Sequence, residues 1–270
     1  MKAILKKYLR ELEEEKGLRV VHVAEGGSNA WGYSNSDSDY DIRLIYVQLP
    51  WRKSILNTLE TIRFQGVYEG VQVDMLGYEL RKACQKLTGS DMTVLEAMHS
   101  PMVYGSKPEF QPVREVAAHY LNMTTVFQAA RDQAKRNLYL NKGGSFVGGD
   151  ITSKSLIHSL RFSLIAIAAK DGVLEFTVPN LIALYAIRYP WVGKAFEWLT
   201  ANRQAEHGHL ISNPIAMQIY DLFKAVDAME RPEGKRNHDV TVADWVYSGV
   251  CLSVLGTFHV TNSDDLMESP

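Results

Sequence analysis

The sequence predicts an α+β fold in which strands come first and helices follow. Three observations carry that expectation. β-branched runs punctuated by Gly, Asn and Asp occupy the stretch up to Leu76. Apolar residues at helical spacing dominate the rest. Glycine and proline breaks then divide the second part into separate helices. Strands first and helices after suggest an α+β domain over 1–105, a helical domain over 106–260 and a polar, acidic tail over 261–270. The boundary is expected near Ser106-Lys-Pro108.

The elements follow in order. Ile4, Leu5, Tyr8, Leu9 and Leu12 fall on one face, so 2–16 reads as an amphipathic helix that Gly17 ends. Val20, Val21 and Val23 make a strand leading into Gly26-Gly27. A short helix is expected over 28–32, then a loop rich in Ser, Asn and Asp from Tyr33 to Ser38. Strands are expected over 41–48, 61–68 and 71–76, the last two joined near Glu69-Gly70. Helices are expected over 78–88, 111–140, 153–170, 180–187, 191–205, 213–229 and 241–256. Asp150-Ile-Thr-Ser153 offers cap residues for one of them.

Composition narrows the function classes. With 270 residues, 46% hydrophobic and 22% charged, the chain has ordinary globular composition. A net charge of −2 gives no bulk electrostatic case for nucleic-acid binding, although a local basic groove stays open. Cys84 and Cys251 lie far apart without metal-ligand spacing and read as two thiols. No apolar run reaches the length of a membrane helix, and the first residues lack the apolar core of a secretion signal. A reducing cytoplasm and no membrane partner are expected.

The chemistry concentrates in Glu25-Gly-Gly-Ser-Asn-Ala-Trp-Gly-Tyr-Ser-Asn-Ser-Asp-Ser-Asp-Tyr-Asp-Ile-Arg43. Gly27 lets backbone approach a phosphate, and Ser28 adds a hydroxyl. Backbone N–H groups at the start of the following helix would point at an anion. Asp39 and Asp41 sit two apart, so both carboxylates share one side of a strand. A pair of Mg²⁺ ions bridging a triphosphate and an attacking oxygen needs that arrangement. Asp74 lies in Val71-Gln-Val-Asp-Met-Leu76, where a buried, unpaired carboxylate would be costly. It reads as a third metal or catalytic group, the alternative being a solvent-facing position shared with Gln72.

Arg43 shares the aspartate face. It can neutralise the carboxylates before metal binds, contact a phosphate, or form a simple edge-of-sheet ion pair. Lys154, His158 and Arg161 fall on one helix face, either as a basic stripe reaching a triphosphate across a cleft or as a solvated face. Trp31 and Tyr33 are candidates for stacking on a base, although aromatics beside a glycine loop are more often packing anchors.

These residues together carry a resemblance. Gly27-Ser28, Asp39-x-Asp41 and then Asp74 on a later strand resemble the nucleotidyltransferase superfamily typified by DNA polymerase β. Within it the chain is similar to the YcgL-type and RNA-repair-associated predicted nucleotidyltransferases. Ala30-Trp31-Gly32, Ile45-Tyr46-Val47, Asp74-x2-Gly77-Tyr-Glu-Leu-Arg-Lys82, Leu95-Glu96-Ala-Met-His-Ser-Pro101 and Lys154-x6-Arg161 extend the likeness over roughly residues 20–170. The resemblance implies a polymerase β-type palm, a mixed sheet with flanking helices, followed by the helical domain with the site in the cleft between them. It implies an NTP donor and Mg²⁺, with Mn²⁺ as an alternative. Asp39, Asp41 and Asp74 become the catalytic and metal-binding carboxylates. Gly27, Ser28, Lys154 and Arg161 become nucleotide-binding residues, and Arg43 joins them on its own position beside the aspartates. The chain departs from the pattern at Asn29, where relatives commonly carry Arg, and at His158, where an aromatic is usual. The acceptor implied by analogy is an RNA end. Protein or small-molecule acceptors, and a non-catalytic nucleotide-binding module of antitoxin type with a protein partner, are the alternatives.

Overall fold

Helix α1, Lys2–Lys16, buries Leu5, Leu9 and Leu12 because their three- and four-residue spacing keeps them on one stripe. In the computed structural model, residues 2–36, 38–49, 59–138, 151–203, 213–234, 237 and 239–256 are described. Gly17 follows α1 with φ of +60°, a left-handed conformation that glycine adopts without a Cβ penalty. Strand β1, Leu18–Glu25, leaves that turn and runs directly into α2, Gly27–Trp31. Next come β2, Tyr40–Gln48, β3, Thr61–Tyr68, and β4, Val71–Glu79.

The sheet is completed by a short strand, β5, Val103–Ser106, giving the order β3-β4-β2-β1-β5. β2 and β4 are parallel, while the other neighbours are antiparallel. The α+β class is therefore present as a mixed five-stranded sheet followed by helices. Alternation sorts the side chains of the two central parallel strands. Ile42, Leu44, Tyr46, Val73 and Met75 enter the core cluster with Leu5, Leu9 and Leu12 of α1. Asp41, Arg43 and Asp74 consequently lie on the opposite face.

The helices are α3, Leu80–Thr88, α4, Met92–His99, α5, Gln111–Tyr120, α6, Met123–Asn137, and α7, Ser153–Lys170. They continue with α8, Val178–Tyr185, α9, Val192–Ala201, α10, Pro214–Asp227, and α11, Thr241–Gly256. Two features differ from what periodicity predicts. The single helix expected over 111–140 is two, because Asn122 turns out of the helix and caps α6 by accepting from the Thr125 N–H at 3.1 Å. Helix α4 and strand β5 fill a stretch for which no element is expected, with Asp91 capping α4. The cap of α7 falls on Thr152, whose side chain forms a reciprocal capping box with Ser155. Asp150, another candidate for that cap, lies outside the described residues, as does the acidic tail.

Two compact units result. One comprises Met1–Ala30, Asp37–Leu121 and Arg236–Pro270, and the other Trp31–Ser36 and Asn122–Lys235. In the first, α5 packs on α3, and α11 returns to both. The stretch Ser106-Lys-Pro108, near which a boundary is expected from sequence, lies inside this unit. In the second, α7 is the central helix, packed against α6, α8, α9 and α10. Fourteen of its eighteen residues are buried, with Ser159, Ser163 and Arg161 among them, as a central helix requires.

Candidate active site

β2 and β4 pair in parallel with Asp41 opposite Asp74. Directly opposed residues on neighbouring strands project to the same face, so this register brings the two carboxylates together. Asp39 precedes β2 by one residue and sits two before Asp41. Its charge and that of Asp74 both reach Asp41, whose carboxyl is raised above its ordinary value first by burial and then by these two neighbours. Arg43 opposes that shift, its guanidinium donating to Asp41 Oδ1 at 3.1 Å. Arg43 also reaches the backbone oxygens of Ile42 and Asp74, at 3.1 and 3.4 Å.

Gly27 closes on this group from the other half of the motif. Its φ is +55°, and a Cβ built there would lie 1.6 Å from Asp41 Oδ2. Only glycine lets the turn and the carboxylate occupy adjacent space. The neighbouring Gly26 N–H donates to the Asp41 carbonyl at 2.6 Å, so the turn is tied to β2 by backbone as well. Ser28 is buried, and its hydroxyl donates to Ser38 Oγ at 3.1 Å. Asn29 donates to the Asp39 carbonyl at 3.0 Å. The glycine–serine turn and the aspartate pair, separate in sequence, thus form one cluster.

In the second unit, Lys154 and Arg161 both lie on α7, with different surroundings. Lys154 is exposed. Arg161 is 2% exposed, donates from Nε to the Phe176 carbonyl at 2.8 Å, and lies 4.6 Å from the Trp31 ring centroid. Trp31 and Tyr33 are both buried. Tyr33 meets His158 edge-on at 5.8 Å, and Arg203 stands over its ring. Both aromatics are packing anchors here. Burial pushes the His158 imidazole down to about 4, with Arg161, Lys154 and Arg203 adding to the effect.

Sequence reasoning gives no site role to Glu25 or Tyr104. Glu25 is fully buried at the end of β1, and its carboxylate accepts the Asp41 N–H at 2.8 Å and the Tyr104 hydroxyl at 2.6 Å. Arg203 donates to Asn35 Oδ1 at 2.9 Å. The proximity of Glu25 to the glycine turn is a visible signal, but its partners are not.

Among the described residues, no group of three or more His, Cys, Asp or Glu side chains stands in metal-holding geometry. The donors nevertheless fit a hard divalent cation. Carboxylate oxygens are the ligands such ions prefer, and mutual repulsion at Asp41 is what a bound cation would relieve. Arg43 meets part of that charge in the structure.

A protein-family profile described as "RlaP: RNA repair pathway DNA polymerase beta family" matches residues 1–244. The chain belongs to this family. Membership makes it a polymerase β-type nucleotidyltransferase family member linked to RNA repair, and implies a divalent metal. The uncharacterized protein YcgL of Bacillus subtilis (strain 168) is 36% identical over 97 residues, which is 36% of this chain. The aligned stretch also spans 36% of that relative's length. A nucleotidyltransferase-like protein from Exiguobacterium sibiricum 255-15 aligns over 93% of this chain and 80% of its own, at 9% identity and a TM-score of 0.31. Among the described residues no helix is long and apolar enough to cross a membrane.

Proposed function

We propose that this RlaP-family chain moves a nucleotidyl group from an NTP to the terminal hydroxyl of an RNA, releasing pyrophosphate, with Mg²⁺ as the metal. The observation that carries the reading is the parallel register that opposes Asp41 to Asp74, with Gly27 packed against the Asp41 carboxylate. The choice of RNA rests on the family's link to RNA repair.

Asp39, Asp41 and Asp74 would hold the divalent cation. When bound, it supplies neutralisation of the triphosphate and Lewis acidity at the α-phosphate. The turn at Gly27, with the Ser28 hydroxyl and the first N–H groups of α2, receives phosphate oxygens. Arg43 holds the charge of Asp41 in the absence of the cation and turns to a phosphate in its presence. Asp74 orients the acceptor hydroxyl and takes its proton on a carboxylate oxygen. The acceptor oxygen forms its bond to the α-phosphorus as the bond to the bridging oxygen breaks, and pyrophosphate leaves in line. Lys154 is exposed on α7 of the second unit. Arg161, buried against Trp31 and bonded to the Phe176 carbonyl, is given a packing role and no nucleotide contact.

The test is transfer of label from each α-labelled NTP to RNA, protein and small-molecule acceptors offered separately. Transfer to RNA 3′ ends, abolished by D39A plus D41A, is the expected result. Equal transfer by the double variant would remove the carboxylates from the chemistry. Transfer to protein alone would keep the reaction and replace the acceptor.

A further inference from the structure

We infer that Glu25 is a positioning residue that sets the backbone of both Asp39 and Asp41. The inference rests on the reading of those aspartates as the reacting site. Glu25 is the last residue of β1 and has no exposed surface. A carboxylate so placed is costly unless donors surround it. Its Oε1 accepts the Asp41 N–H at 2.8 Å and, more weakly, the Asn29 amide at 3.4 Å. Its Oε2 accepts the Tyr104 hydroxyl at 2.6 Å.

The backbone of Glu25 is fixed independently. Its N–H donates to the Met102 carbonyl at 2.8 Å, and its carbonyl accepts the Ser100 hydroxyl at 2.6 Å. One end of the residue is therefore anchored to the segment entering β5, and the other grips the start of β2. Asn29 extends the grip, since the same amide nitrogen that approaches Glu25 donates to the Asp39 carbonyl at 3.0 Å. One buried carboxylate thus reaches the main chain of Asp41 directly and that of Asp39 through Asn29. This gives Asn29 a use of its own, as the link between Glu25 and the Asp39 backbone. An apolar side chain at 25 would fill the space but release the Asp41 N–H. Outer partners of this kind hold ligating groups to their working geometry.

E25A and E25Q separate positioning from packing. Glutamine keeps an oxygen for the Asp41 N–H and offers its amide to the Tyr104 oxygen. Alanine keeps neither. Mn²⁺ binding, followed by electron paramagnetic resonance, and NTP transfer kinetics are measured in both variants alongside thermal stability. Mn²⁺ affinity or kcat is expected to fall by about tenfold or more in E25A and to stay within about threefold of wild type in E25Q. Y104F, which deletes one donor and no bulk, is expected to fall between them if E25A fails to fold. Unchanged cation affinity and kcat in folded E25A, or in Y104F where E25A does not fold, would overturn the inference while leaving the carboxylate reading intact. Absence of Mn²⁺ binding and transfer in wild type would instead overturn both.

Discussion

Gly27 shows how much of the site can depend on one missing side chain. Its left-handed φ of +55° alone costs an alanine about 1–2 kcal/mol. The larger effect is displacement of the Asp41 carboxylate, which occupies the space a Cβ needs. G27A is therefore expected to lower stability by about that amount, read by urea unfolding, and to abolish metal-dependent NTP binding, read by calorimetry. Retained binding in folded G27A would show that the turn and carboxylate are not coupled. At this scale the sequence is informative where chemistry follows from spacing. Asp41 and Arg43 alternate along the chain, and a period of two is enough to put them on one side of β2, with Asp39 just before its start. Glu25 is not legible, because its donors Asp41 and Tyr104 lie 16 and 79 residues away in sequence. Its place beside the glycine turn is visible in the sequence, but the partners that separate it from a solvated glutamate at a strand end are not. Arg161 shares a helical stripe with Lys154, but only tertiary packing shows Trp31 and Phe176 covering it.

Among the elements, the β2–β4 pair does most to create the site. Strand alternation is readable from sequence, but the neighbour of each strand is not, since β3 takes the sheet edge and β4 turns back between it and β2, parallel to β2. The register depends on close packing at Gly77, opposite Leu44. A Cβ at Gly77 would meet Leu44 Cδ1 at 2.4 Å. Overpacking of this kind costs roughly 1–3 kcal/mol. G77V is expected to lower the melting temperature and weaken metal-dependent NTP binding, and L44A in the same chain is expected to restore part of both. Failure of L44A to restore either would argue that Gly77 acts by some route other than this contact. The split of the helix expected over 111–140 belongs to the same scale. Helical periodicity continues across the break, while the cap at Asn122 depends on one side chain leaving the helical path.

Across the whole molecule, buried titratable groups make stability pH-dependent in each unit. His22 in the first unit and His158 in the second are both held down at about 4 by burial. The folded state therefore disfavours their protonation while the unfolded chain takes the proton near 6.5. Their stabilising contribution is complete above 6.5 and is lost as pH falls from there to about 4. For a fully buried histidine this amounts to on the order of 3 kcal/mol. Glu13, Glu25 and Asp41 run the other way, because burial raises them and disfavours the charged form as pH climbs through their folded values. H158F is expected to flatten the loss of stability between pH 6.5 and 4, measured by urea unfolding across that range. An unchanged slope would show that His158 does not titrate with unfolding. The α+β class and the strand-then-helix order are legible at this scale. The assembly of each unit from separated stretches of chain is not, because residues 31–36 and helix α11 join their units through contacts distant in sequence. The central claim is that Asp41 and Asp74 form one cation-dependent nucleotide site, and titration of each NTP with Mg²⁺ by calorimetry, in wild type, D41N and D74N, tests it most directly. Metal-dependent binding of at least one NTP, weakened about tenfold or more in both variants, is the predicted result. Wild-type binding in both variants would contradict it.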